Sequence, residues 1–174
     1  PERDRRSRNH VDRVPERKAL RAGRRWGKNV FGETLATSDA LKGRLVGWFA
    51  PENKRLSESF NVIVQNIESV KKRSSKTDHM IETITKGKVE FWSLEDPDSG
   101  RGRKYKRAVV DEAAKVAKLK YAWENTIRPT LSDLIGDAWF PSTPQGMNYF
   151  WELAQYGLDS FRPEYAYFHA PTSA

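Results

Sequence analysis

Apolar runs of strand length alternate with amphipathic helix patterns along most of the chain. Leu45–Ala50 is a continuous apolar run that ends at Pro51, as in a parallel strand buried on both faces. Residues 53–70 then carry apolar side chains at helical spacing, and the basic residues 71–73 would complement the dipole at the end of that helix. This alternation predicts an α/β fold with a central, mainly parallel β-sheet flanked by helices.

Similar patterns predict the other elements and one domain. Strands are predicted at 18–22, 106–110, 139–140 and 165–169, helices at 29–41 and 147–156, a hairpin or edge pair from 80–85 and 88–93, and a polar loop at 95–104. Residues 1–17 are arginine-rich with few apolar side chains, which predicts a basic N-terminal arm or lead-in. The folded domain is therefore expected at 18–174, and a chain of 174 residues suffices for one core.

The composition narrows the class of function. Lys and Arg outnumber Asp and Glu by 31 to 23, giving a net charge of +8, which favours a polyanionic partner such as nucleic acid or serves solubility alone. The chain has no cysteine, and its three histidines (His10, His79 and His169) are scattered, so disulfides and a zinc site are not expected. It has no apolar run of about 18 residues, so we expect no membrane partner and a cytoplasmic protein.

A glycine-bounded basic turn lies between the first predicted strand and the first predicted helix. A turn in this place can cradle phosphates with backbone N–H groups and the helix N-terminus. It departs twice from the phosphate-loop pattern G-x-x-x-x-G-K-[ST], since Ala22 replaces the first glycine and Asn29 the residue with a hydroxyl group. Taken alone, the segment also fits a basic surface turn.

Two adjacent acids follow a later apolar strand. Asp111 and Glu112 come directly after Val110, where the end of a strand would deliver both carboxylates to one edge of the sheet. An aspartate there suits Mg²⁺ or its water shell, and the following glutamate can polarise an attacking water. Acids are also favoured in the first turn of a helix, so a helix start is the alternative.

Four short segments in this order resemble the ATPase domain of tailed-bacteriophage terminase large subunits, which is a P-loop NTPase of the ASCE type. Residues 23–28 resemble the arginine-bearing Walker A motif, 100–105 the segment before Walker B, 109–114 Walker B, and 142–146 the coupling motif. Together they cover residues 20–157. The resemblance implies ATP and Mg²⁺ as cofactors.

The resemblance also assigns roles to individual residues. Lys28 would contact the β- and γ-phosphates, and Glu112 would be the catalytic base. Asp111 would support Mg²⁺, with Asn29 at the position of the usual hydroxyl ligand. The nucleotide-binding residues would be Gly23, Arg24, Arg25, Trp26, Gly27, Lys28 and Asn29.

Arginines would stabilise the charge that spreads over the γ-phosphate in the transition state. By resemblance, Arg24 would act in cis on the phosphates or the Walker B carboxylate, and Arg101 in trans as an arginine finger. A solvated basic loop is the alternative for Arg101. Trp26 would either stack on the adenine or pack over the loop.

The coupling motif would be formed by Ser142, Thr143 and Pro144, which would sense the γ-phosphate and relay its loss; a polar turn is the alternative. The resemblance implies an ATP hydrolase that drives viral double-stranded DNA into a capsid, as a homo-oligomeric ring in the host cytoplasm. A capsid portal and a small terminase subunit would be its partners. The nuclease domain of such proteins is expected to be absent from 18–174.

Two alternative functions remain open at this stage. One is another P-loop nucleic-acid translocase, such as a helicase-like ATPase, which would use the same ATP chemistry on a different track. The other is a degenerate P-loop scaffold that binds DNA without hydrolysing ATP, which Asn29 favours. Magnesium-dependent turnover separates the scaffold from both motors.

Overall fold

A computed structural model describes residues 16–23 and 26–170 of the chain. Within these ranges eight strands form one sheet: β1 (Arg17–Ala22), β2 (Leu45–Ala50), β3 (Lys71–Ser75), β4 (Met80–Thr83), β5 (Lys88–Ser93), β6 (Arg107–Val110), β7 (Asp137–Ser142) and β8 (Tyr165–Ala170). Their order is β3-β4-β5-β2-β6-β7-β1-β8. In this spatial order the six strands β5, β2, β6, β7, β1 and β8 are parallel, and β4 and β3 extend the sheet at one edge by antiparallel pairing. The predicted mainly parallel sheet is confirmed.

Helices cover both faces of this sheet. In the described part of the chain they are α1 (Lys28–Leu41), α2 (Asn53–Asn66), α3 (Leu119–Tyr121), α4 (Arg128–Thr130) and α5 (Tyr149–Tyr156), with a π-helix at Ala122–Ile127 and 3₁₀ turns at Glu68–Val70 and Ala113–Lys115. α3, the π-helix and α4 follow one another without a break. None of the helices in these ranges has both the length and the apolar character needed to span a bilayer.

The central strands are buried on both faces, as the apolar run 45–50 predicted. Trp48 and Val109 pack on the side of α1 and α2, whereas Phe49 and Val110 point to the side of the π-helix and α5. All four side chains have no exposed surface. Burial of each contributes roughly 1.5–3 kcal/mol of hydrophobic free energy, so this double-sided core anchors the strands that lead to the polar edge.

The prediction for residues 53–73 was partly wrong. α2 ends at Asn66, and the basic residues 71–73 do not cap it but begin β3, which pairs with β4. Lys72 and Arg73 lie 3.1 and 3.8 Å from the carboxylate of Glu82 on β4. Charged residues suit an exposed edge strand as well as they suit a helix end, and here the strand ladder satisfies the backbone. The predicted hairpin of 80–85 with 88–93 is confirmed as β4 and β5.

An ion-pair network ties together the amino ends of three strands. Asp137 accepts hydrogen bonds from Lys18 at 2.6 Å and from Arg107 at 2.8 Å, and Arg107 also lies 2.8 Å from Asp39 of α1. Burial alone would raise the pKa of Asp137, but the bonds from Arg107 and Lys18 hold it below its ordinary value. The network therefore joins β1, β6 and β7 at the edge opposite the predicted site.

The strand that precedes the phosphate loop and the strand that carries the acidic pair are not neighbours. β7 pairs with β1 on one side and with β6 on the other. β7 is thus inserted between the two strands that lead to the predicted phosphate loop and to the acidic pair. Since all three strands are parallel, their carboxyl ends meet at one edge, which brings together the phosphate loop, Ser142 and Asp111.

Candidate nucleotide site

The phosphate loop connects β1 to α1 at the carboxyl edge of the sheet. Gly23 donates its N–H to the carbonyl of Ala170 at 3.1 Å, which continues the pairing of β1 with β8. Gly27 is the residue before α1 and has φ +91°, a conformation that glycine adopts without strain. As at the start of any α-helix, the first N–H groups of α1 have no partner within the helix, which is what a phosphate site requires. Arg24 and Arg25 lie outside the described residues.

Lys28 and Glu112 form a direct ion pair across the inserted strand. Their Nζ and Oε1 atoms are 2.9 Å apart, and both side chains are largely buried. Two further cations surround the same carboxylate, since Arg55 of α2 lies 3.7 Å from Oε1 and Lys115 lies 3.9 Å from Oε2. The candidate base therefore sits in a positive environment in which an anionic phosphate would compete for the same cations.

Glu112 also has a strained backbone. Its φ and ψ are 47° and 45°, in the left-handed region that non-glycine residues seldom occupy. Such a conformation costs about 1–3 kcal/mol and persists where the surrounding structure holds it. The strained turn directs the carboxylate of Glu112 toward Lys28.

Asp111 is buried at the end of β6. Burial and the adjacent Glu112 raise its pKa to about 6, against the opposing influence of Arg55 and Lys28. Among the described residues its Oδ1 atom has no hydrogen-bond partner. A buried carboxylate oxygen without a partner fits a magnesium ion or a magnesium-bound water, because oxygen ligands are those that Mg²⁺ prefers.

The metal prediction also includes Asn29, which is half-buried in the first turn of α1. The described residues contain no group of three or more His, Cys, Asp or Glu side chains arranged to hold a metal ion. Asp111 and Asn29 remain the predicted Mg²⁺ ligands at this edge of the sheet. Kinase and ATPase sites use this arrangement, in which one or two protein ligands complete a metal–phosphate complex.

Glu33 is a buried carboxylate beside this site that the sequence analysis missed. It lies on α1 and is 6% exposed. Burial and the charge of Asp111 raise its pKa to about 7. The signal was present in the sequence, because Glu33 falls on the same helical stripe as Ala36 and Ala40, which face the core.

The coupling segment lies next to the acidic pair. Ser142 ends β7, is fully buried, and accepts a hydrogen bond at 3.0 Å from the backbone N–H of Ala114, two residues after Glu112. Its hydroxyl group donates to the carbonyl of Thr143 at 3.0 Å. Thr143 is half-buried and Pro144 is exposed. The sheet thus places the predicted coupling residues against the turn that carries the predicted base.

Arg101 lies in the polar loop between β5 and β6. Its side chain is 65% exposed, and its ion-pair partner is Asp98 at 3.4 Å. The loop itself is anchored, since Thr126 of the π-helix donates to the carbonyl of Pro97 at 2.8 Å. An exposed arginine on an anchored loop is available to a neighbouring molecule, and the structure does not pair it with Glu112 of its own chain.

Trp26 lies at the start of a row of aromatic side chains. Its ring is 6.5 Å from Phe31, which packs edge-on against Trp139 at 4.9 Å; Trp139 stacks on Phe168 at 5.6 Å. Trp26 is 41% exposed. Trp26 is therefore partly exposed and extends the aromatic row of Phe31, Trp139 and Phe168.

The sheet order, with the predicted phosphate loop and acidic pair at one edge, agrees with the predicted P-loop NTPase fold. No family model matches the chain. The chain is 28% identical over 150 residues, or 84% of its length, to the large terminase subunit of Escherichia phage T5, and 32% identical over 91 residues to that of Thermus phage G20c. It spans about a third of the T5 protein, since the match covers 34% of that protein.

Solved structures agree with this fold. The large terminase ATPase domain of Thermus phage P74-26 superposes with a TM-score of 0.76 at 22% identity, covering 90% of this chain and 76% of that one. The large terminase of a thermophilic bacteriophage, solved in complex with ADP, superposes with a TM-score of 0.64 at 13% identity, covering 95% of this chain and 42% of that one. The resemblance to the ATPase domain of phage terminase large subunits is thereby confirmed in both sequence and fold.

Proposed function

We propose that this chain is the ATP-hydrolysing part of a motor that drives viral double-stranded DNA into a capsid. The observation that carries the proposal is the 2.9 Å contact between Lys28, at the start of α1, and the buried Glu112. A lysine at a phosphate loop and a carboxylate held beside it are the two charges that hydrolysis of a γ-phosphate needs at close range. The similarity to terminase large subunits supports the choice of motor.

In the proposed reaction the Lys28–Glu112 pair is exchanged for contacts with the nucleotide. Lys28 turns to the β- and γ-phosphates, which frees Glu112 to accept a proton from the attacking water. Bound Mg²⁺ would neutralise charge on the phosphate oxygens, with Asp111 and Asn29 supporting it. Arg55 lies 3.7 Å from Glu112 in this structure and would keep the released carboxylate in place.

The arginines complete the charge stabilisation. Arg24 would act in cis on the phosphates or the acidic pair. Arg101 is exposed and would reach the ATP of a neighbouring subunit, so a homo-oligomeric ring is part of the proposal. Ser142, Thr143 and Pro144 would relay loss of the γ-phosphate through the turn that follows Glu112.

The remaining partners follow from charge and resemblance. The net charge of +8 suits the phosphates of duplex DNA, which would be held without reading the sequence. A capsid portal and a small terminase subunit would complete the assembly, and the work would take place in the host cytoplasm.

The test is magnesium-dependent ATP hydrolysis and ATP binding by the wild-type chain and two variants. Glu112→Gln should bind ATP and lose turnover by at least about 100-fold, the usual worth of a general base. Lys28→Ala should weaken binding by about tenfold or more, since it removes a charge-assisted contact with phosphate. Glu58→Gln, which alters an exposed carboxylate on α2, is the matched control. Turnover by Glu112→Gln at the wild-type rate would refute the assignment.

A dilution series tests the arginine in trans. Turnover per subunit of the wild-type chain should rise with protein concentration, and Arg101→Ala should abolish the rise. Arg103→Ala is the matched control from the same loop, because Arg103 packs over the ring of Trp92 at 5.4 Å. A rate per subunit that is independent of concentration in all three proteins would exclude the ring mechanism for this chain.

Asn29 favours one other function, that of a DNA-binding scaffold without hydrolysis. An amide oxygen replaces the hydroxyl that normally holds Mg²⁺. Binding of ATP and duplex DNA with no turnover in the wild-type chain would support the scaffold. In that case Asn29→Thr would restore turnover only if the metal site were the one deficient part. Separation of DNA strands would instead indicate a helicase-like translocase.

A further inference from the structure

The side chain of Asn148, just before α5, contacts the turn after Glu112 at Ala114, 34 residues earlier in the sequence. Its Nδ2 atom donates a hydrogen bond to the carbonyl of Ala114 at 2.9 Å. Its Oδ1 atom accepts one from the backbone N–H of Trp151 at 3.2 Å and so caps α5. A carbonyl can only accept and an N–H can only donate, so the two partners determine the orientation of the amide.

The turn that Asn148 contacts is the one that holds the strained Glu112. The N–H of Lys115 donates to the carbonyl of Glu112 at 2.8 Å and closes the 3₁₀ turn. At Ala114, in the middle of that turn, the N–H is bound by Ser142 and the carbonyl by Asn148. The left-handed conformation of Glu112 needs such external support, because an isolated chain would leave it.

α5 faces both the core and the surface. Phe150 and Leu153 are buried in the same cluster as Phe140 of β7, whereas Trp151 is 43% exposed on the other side. The cap by Asn148 therefore links the first turn of a partly exposed helix to the turn after Glu112. Ala113 and Ala114 of that turn also pack in the same apolar cluster as Phe150 and Leu153, so the amide is the hydrogen-bonded part of a wider contact between turn and helix.

We propose that Asn148 is a positioning residue that holds the Glu112 turn in its active conformation and ties that turn to α5. The inference rests on the proposed function and extends it. It adds a residue beyond the coupling segment 142–144, and it identifies α5 as the helix to which a change in that segment is transmitted. Asn148 does not touch the nucleotide. Its effect is on where Glu112 points and on how a change at the γ-phosphate reaches the surface of the domain.

Asn148→Asp separates the two hydrogen bonds. Aspartate caps a helix as well as asparagine does, so the bond from Trp151 is kept. The amide donor is lost, and a carboxylate oxygen faces the carbonyl of Ala114. Asn148→Ser also keeps a capping oxygen, without a charge. The matched control is Asn125→Asp, which removes the bond from the Asn125 amide to the carbonyl of Tyr121 on the exposed side of the π-helix.

Two measurements test the role, namely the steady-state kinetics of ATP hydrolysis and amide hydrogen exchange with and without a non-hydrolysable ATP analogue. In both Asn148 variants kcat should fall about tenfold while KM for ATP stays within about twofold, since about 1.4 kcal/mol of lost positioning is tenfold in rate. The Ala114 amide should exchange faster. Analogue binding should change exchange in α5 of the wild-type chain and of Asn125→Asp, and should change it clearly less in the Asn148 variants.

The outcomes separate this inference from the proposed function. The positioning role would be overturned if a folded Asn148→Asp or Asn148→Ser protein kept the wild-type kcat. It would also be overturned if α5 of such a protein responded to the analogue as fully as α5 of the wild-type chain. A wild-type chain that binds the analogue without hydrolysing ATP would refute the proposed hydrolysis, and the exchange experiment alone would then decide the role of Asn148. If Asn148→Asp does not fold, Asn148→Ser carries the same comparison.

Discussion

Replacing Glu33 by glutamine should change how the stability of the domain depends on pH. The pKa of Glu33 is raised from its ordinary value of 4.5 to about 7, by burial first and by the charge of Asp111 second. Between these values the folded chain binds a proton that the unfolded chain has lost. Stability therefore falls as pH rises through this window, and above pH 7 the folded chain carries the full cost of the buried charge.

The magnitude follows from the two pKa values. A difference from 4.5 to about 7 corresponds to at most about 3 kcal/mol, because each pH unit is worth about 1.4 kcal/mol and solvent near the carboxylate screens part of the effect. Glu33→Gln keeps the size and hydrogen-bonding capacity of the side chain but cannot ionise. We expect it to match the wild-type free energy of unfolding near pH 4.5 and to exceed it by about 1–3 kcal/mol at pH 8.

Urea denaturation without nucleotide or Mg²⁺, at half-unit intervals from pH 4.5 to 8.5, measures this difference. Glu58→Gln, at an exposed position on α2, controls for the loss of one carboxylate. The Glu58→Gln curve should run parallel to the wild-type curve. If Glu33→Gln also runs parallel to it, Glu33 titrates as an ordinary carboxylate and the argument from burial is wrong.

Three other substitutions should change the free energy of unfolding, measured by urea denaturation at pH 7. Ile135 is a β-branched, 79% exposed residue with φ +49°, so Ile135→Asn should stabilise the domain by about 1 kcal/mol, and a loss of stability would contradict the strain. A Cβ atom at Gly87 would lie 1.9 Å from the carbonyl oxygen of Ala40, so Gly87→Ala should cost about 3 kcal/mol, and a neutral result would mean that the two segments separate easily. Asp137→Asn leaves the buried Lys18 without a counter-charge and should also cost about 3 kcal/mol, whereas a cost below about 1 kcal/mol would show that the network is not stabilising.

Periodicity in the sequence predicted the strands and helices that line the site. The apolar run 45–50 and the stripe of α2 are strong signals because burial on one or both faces dictates them. Residues 119–130 were not predicted as helical, since a π-helical turn breaks the 3.6-residue period by which a helix is recognised, and Pro129 falls within the segment. Basic residues 71–73 were assigned wrongly because a helix end and an edge strand favour the same side chains.

Only part of the candidate site could be predicted from the sequence. Lys28 and Glu112 could be named from motifs, and their contact follows from the strand order, which no local pattern contains. Arg55 approaches Glu112 from α2, on a helix with no motif of its own, so only the tertiary structure reveals it. Asn148 could have been recognised as a helix cap, but its bond to Ala114 could not.

The inserted strand β7 has a mechanical consequence. Neighbouring strands lie about 4.8 Å apart, so β1 and β6 stand about 10 Å from each other across β7. Main-chain hydrogen bonds set this width, and a nucleotide cannot widen or narrow it without breaking the ladder. The sheet therefore fixes the distance between the end of β1, where the phosphate loop begins, and the end of β6, where the acidic pair lies. In the proposed motor, movement driven by ATP would therefore arise in the loops and turns at the carboxyl edge of the sheet, where no strand ladder fixes the backbone.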